Sequence, residues 1–137
     1  MEITVTQEQG QVPVTIIGLA GHLDGQTYQD LIQKAREIFE AGSRNLLLDL
    51  AELTYISSAG LVSLNTIALM IRGEVLPDPE QGWSALKSMD RARSSGGSKM
   101  NLKLLNPRPE IINVLEMVGF SEFFDVFTDK QKAVDSF

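Results

Sequence analysis

The chain has 137 residues, a length that suits one domain and can bury a core without metals or crosslinks. It holds no cysteine and one histidine, His22, which excludes disulfides, thiolate chemistry and a multi-histidine metal centre. The net charge is −6 and no segment carries a basic excess, so a nucleic-acid partner is not expected.

Ile3, Thr4, Val5 and Thr6 alternate as a strand does, Gly10 marks a turn, and residues 12–19 form a second strand of the same hairpin. Residues 27–41 read as an amphipathic helix, with Tyr28, Leu31, Ile32, Ala35, Ile38 and Phe39 along one face. Thr27 and Asp30 suggest its N-terminal cap and Gly42 its stop. The apolar run at 45–50 predicts a strand covered on both faces. Residues 58–72 follow as a helix apolar almost all round, which is either buried or meets a partner.

The pattern breaks at Pro77, Pro79, Gly82, Gly96 and Gly97, so 74–99 is expected to be a flexible insert between the second helix and the fourth strand. Trp83, the only tryptophan, reads as a lid residue on the domain's own surface or as a partner anchor. Order resumes with a strand at 101–105. Pro109 then opens a helix over 109–118, striped by Ile111, Ile112, Leu115 and Val118. Gly119 before Phe120 fits a left-handed cap, 123–127 a last strand, and Thr128 with Gln131 a capping box for a terminal helix. The order predicts a single α/β domain over 1–137, with a mixed sheet of about five strands and about four helices.

Residues 61–71, the most apolar stretch, are too short to span a bilayer, and no secretory signal is visible. A cytoplasmic protein with no membrane partner is expected. The segment that invites chemistry is Ser57-Ser58-Ala59-Gly60-Leu61, two serines where a buried strand turns into an apolar helix. Either serine can cap the helix, whose first turn has unpaired N–H groups and a partial positive charge. Either can instead accept a phosphate. A hydrolase would need the G-x-S-x-G elbow, whose leading glycine is missing here, and could find its base only in His22, in a triad of Ser58, His22 and Asp24.

In order, 19–24 (Leu-Ala-Gly-His-Leu-Asp), 46–53, 57–61 and 101–127 resemble STAS domains of the anti-sigma-factor antagonist type, over all of the chain but the insert and its extreme ends. The resemblance implies a non-enzymatic regulator without a cofactor. Such a protein is phosphorylated on the serine opening its second helix by a partner that is both serine kinase and anti-sigma factor. Unphosphorylated, it binds that partner and frees a sigma factor for transcription; a phosphoserine phosphatase is a further possible partner. By motif position the serine is Ser58. Ser57 and Ala59 stand where the family usually has aspartate and serine or threonine, which leaves Ser57 open as an alternative acceptor. Asp24 matches a partner-facing or nucleotide-facing loop position, and reads equally as an Asx-type turn or a helix cap. The expected docking surface is Asp24, Ser57 and Ser58 with Val62, Asn65, Thr66 and Leu69 on the exposed side of the second helix. The alternative is a STAS-like accessory subunit of a larger assembly, such as a lipid-transport complex, with no phosphoswitch.

Overall fold

The alternating, β-branched residues at the start of the chain form a hairpin. In the computed structural model, which describes residues 1–71, 102–120 and 124–137, β1 (Glu2–Gln9) runs antiparallel to β2 (Pro13–Leu23). The following elements are α1 (Tyr28–Glu40), β3 (Leu46–Ile56), α2 (Ser58–Ile71), β4 (Leu102–Leu105), α3 (Pro109–Met117), β5 (Val126–Phe127) and α4 (Lys130–Asp135). The sheet order is β1-β2-β3-β4-β5, and every pair after the hairpin is parallel. This is the mixed α/β architecture expected from the sequence, with five strands and four helices among the described residues. The expected insert at 74–99, Trp83 included, lies outside those residues.

Alternation divides the strands between two layers. Ile17, Leu19, Leu46, Leu48, Leu50, Leu102 and Leu104 form one core with Leu31 and Ala35 of α1, Leu61, Leu64 and Ile67 of α2, and Ile111 and Leu115 of α3. On the other face, among the described residues, Val14, Ile16, Leu47 and Leu105 cluster with Ala133 and Val134 of α4, and Val12, Phe127 and Phe137 pack against them. Beyond α4 that face opens into a hollow lined by Glu2, Thr4, Gly18, Ala20, Asp49 and Glu52. Among the described residues, the expectation of helices on both faces is therefore met along half of β3.

Lys103 is buried beneath α4, its Nζ 3.0 Å from the Ser136 carbonyl and 2.9 Å from Ser136 Oγ, with the Phe137 ring 4.7 Å away. The same helix reaches the opening hairpin: Gln11 Nε2 donates to the Asp135 carbonyl (3.2 Å), and Lys130 pairs with Glu8 at 2.9 Å.

β1, β2 and β3 are longer than their sequence pattern predicts, and the last strand, expected over 123–127, is found at Val126–Phe127. β2 reaches Leu23 and β3 reaches Ile56, because register shifts between Gly18 and Ala20 and between Gly21 and His22 keep them paired. These shifts place the buried residues Leu50, Leu53 and Ile56 at three-residue spacing, which hides a strand from a two-residue period. The terminal helix is capped one residue later than expected. Asp129, not Thr128, accepts the Lys132 amide at 3.1 Å, since the helix begins at Lys130.

Candidate docking site at the start of the second helix

Leu23 and Ile56 lie side by side where their parallel strands end. From Leu23 the chain loops into α1; from Ile56 it enters α2 through Ser57 alone. The Ser57 amide donates to the Leu23 carbonyl at 2.9 Å, which pins the start of α2 to the end of β2. Gly60 permits this approach. A Cβ there would lie 2.7 Å from both the Leu23 carbonyl oxygen and Ile56 Cγ1, so only glycine fits without movement.

The two serines divide their tasks. Ser57 is half-buried; its Oγ accepts the Gly60 amide at 3.3 Å and its carbonyl accepts the Leu61 amide at 3.0 Å. It is the helix cap. Ser58 is the first residue of α2 and is exposed to solvent. The first turn holds no acidic residue, so no carboxylate of its own offsets the partial positive charge there.

Asp24 is half-buried in the neighbouring loop. Its Oδ1 accepts the Gln26 amide at 2.9 Å, which is the Asx-type turn among its expected roles. Thr27 occupies the N-cap position of α1, but its hydroxyl does not bond the helix as expected. It accepts from the Asp24 amide at 2.9 Å and donates to the His22 carbonyl at 2.9 Å, because the backbone at Thr27 is already helical and turns the side chain back to the loop.

The helix residues are where the expectation fails. Val62, Asn65, Thr66 and Leu69 were assigned to an exposed side of α2; all four are buried, at 6%, 0%, 1% and 3% exposure. The reason is compositional. Residues 58–71 contain no charged side chain, and a helix apolar all round finds no favourable face for water. Thr66 satisfies its hydroxyl within the helix, on the Val62 carbonyl at 2.9 Å.

Sequence reasoning missed Tyr55. Its side chain is half-exposed and its ring meets that of His22 edge-on, with centroids 5.8 Å apart. His22 and Tyr55 are partners across β2 and β3, a register set by the bulge and invisible in either segment alone. No hydrogen bond joins Ser58, His22 and Asp24 among the described residues, and the Asp24 carboxylate is held by Gln26 and Thr27.

This strand-to-helix corner is found where the STAS domain profile matches, across residues 4–75. The chain belongs to the STAS family. Similar solved structures cover nearly the whole chain and share its fold. An anti-sigma factor antagonist from Mycobacterium paratuberculosis is 16% identical, with a TM-score of 0.62 over 98% of this chain and 93% of that one. The anti-sigma factor antagonist SpoIIAA in its unphosphorylated form is 18% identical, with a TM-score of 0.56 over 97% and 95%. The phosphorylated form of SpoIIAA from Bacillus is 16% identical, with a TM-score of 0.56 over 98% of each chain. No protein with a curated description matches the sequence. No helix among the described residues is long and apolar enough to cross a membrane.

Proposed function

We propose that this STAS domain is an anti-sigma-factor antagonist, a binding module and not a catalyst. Its partner is an anti-sigma factor that is also a serine kinase, and its switch is phosphorylation of Ser58. Without phosphate the corner formed by Asp24, Ser57 and Ser58 docks the partner and a sigma factor is released. With phosphate docking is lost, and a phosphoserine phosphatase resets the switch. Because Val62, Asn65, Thr66 and Leu69 are buried, the docking surface is drawn around the loops and the first turn of α2.

One observation carries the choice of Ser58: its exposure beside a serine already engaged as the helix cap. A kinase can reach the Ser58 hydroxyl without dismantling the helix start. The added charge of about −1.5 to −2 would sit at the positive end of α2, where the fold tolerates it. A partner lying against the same surface would have to desolvate that dianion, and its acidic groups would be repelled.

The test is a pull-down with phosphosite mapping, followed by binding measurements on two variants. Ser58→Ala is expected to keep partner affinity and Ser58→Asp to weaken it. Equal affinity for both would overturn the switch, and persistent absence of phosphate on both serines would favour the accessory-subunit reading.

A further inference from the structure

Among the described residues β1 forms one edge of the sheet, and its outer side pairs with no strand. The opposite edge, β5, has 2 residues; β1 has 8. Long edges are normally blunted by lysine, proline, a bulge or a covering element. Residues 2–9 contain no Lys, Arg, Pro or Gly, and their register with β2 runs unbroken from Glu2 to Gln9. Most of the strand is exposed, and of its side chains only Ile3 packs against the main core. The outward N–H and C=O groups are left to water or to another strand.

We propose that β1 pairs with β1 of a second copy of this chain, antiparallel across a two-fold axis normal to the sheet, so that the two sheets become continuous. Symmetry and charge select the register. Such an axis keeps each face on its own side, so even positions meet even ones and the axis passes through a residue. An axis at Val5 sets Glu2 opposite Glu8 at both ends, and like charges directly opposite destabilise a sheet. An axis at Thr4 pairs only residues 2–6. An axis at Thr6 pairs residues 3–9, with Thr4 facing Glu8, Val5 facing Gln7 and Thr6 facing its own copy; no carboxylates oppose. Glu8 is already neutralised by Lys130 at 2.9 Å. This self-complementary register favours a second copy over a foreign strand. The net charge of −6 on each chain works against association, so the dimer strengthens as salt screens it.

Sedimentation of the intact chain over a concentration series, at low and high salt, tests the pairing. A dimer favoured by salt is expected. Thr6→Lys makes the chain less acidic yet sets two like charges face to face, and is expected to raise the dimer dissociation constant by about fivefold or more. Gln33→Lys, an equal charge change at an exposed position on α1, leaves the dimer intact. The chain lacks cysteine, so Thr6→Cys with a short bismaleimide is expected to give a covalent dimer and Gln33→Cys is not. A chain monomeric under all conditions, or equal behaviour of the position 6 and position 33 variants, overturns the proposal.

Discussion

The Leu23 carbonyl holds the Ser57 amide at 2.9 Å, and this bond fixes where α2 begins relative to the sheet. It places one serine in the cap and the next on the surface. The consequences can be measured separately from any partner.

Gly60→Ala tests the close approach beneath that bond. The new methyl would meet the Leu23 carbonyl and Ile56 Cγ1 at 2.7 Å. Overpacking of this kind costs about 1–3 kcal/mol. Thermal or urea unfolding is expected to show that loss, against a gain of up to about 1 kcal/mol from helix propensity alone. An unchanged midpoint would mean that the corner yields easily.

The two serines should separate in stability. Ser57→Ala removes the acceptor for the Gly60 amide and is expected to cost about 0.5–1 kcal/mol, at the lower end for a cap because the bond is long at 3.3 Å. Ser58→Ala at the exposed neighbour stays within about 0.5 kcal/mol of the native chain. Ser58→Asp places a carboxylate at the start of the helix and is expected to stabilise the fold by about 0.3–1 kcal/mol at low ionic strength. Equilibrium unfolding of the three variants checks the order, and ensures that a loss of docking by Ser58→Asp is not a loss of structure.

Asp24→Asn separates the turn from the charge. Its side-chain oxygen can still accept the Gln26 amide, so the unfolding midpoint is expected to move little. If partner affinity falls by about tenfold, equivalent to 1.4 kcal/mol, the carboxylate contributes to docking directly. Unchanged affinity would assign Asp24 to the loop alone.

Lys103 tests the opposite side of the sheet. Replacing it by alanine removes the donor to the Ser136 carbonyl and hydroxyl and is expected to cost about 1.5–3 kcal/mol. Lys103→Met keeps most of the stem and should cost less than alanine. Urea midpoints at unchanged m-value provide the comparison.

The sequence shows most of the frame, and its failures have physical causes. Gly42 and Gly119 both take positive φ where a helix stop was expected, and Pro109 stands in the first turn of α3. α1 is found within one residue of its expected bounds because its apolar stripe follows a regular period. The ends of β2 and β3 were missed because bulges move Leu53 and Ile56 off the alternating pattern. At the candidate site the Asx-type turn at Asp24 was among the expected roles, but which of the two serines caps the helix was left open. Which hydroxyl caps the helix depends on one residue of phase, and that is set by the bond to Leu23, in a different strand. The exposed helix side failed for another reason. Val62, Asn65, Thr66 and Leu69 were placed on one exposed side, yet a helix with no charge can bury all four, the polar pair included.

The position of α4 has a consequence for biosynthesis. The Gln11 bond to Asp135 spans 124 positions, so the turn between β1 and β2 leaves the ribosome 124 residues ahead of its partner in α4. Until α4 emerges, Val14, Ile16 and Leu47 stay uncovered by that helix on a half-built domain. That interval is when a chaperone has most to hold, and when a stalled nascent chain is most prone to aggregate.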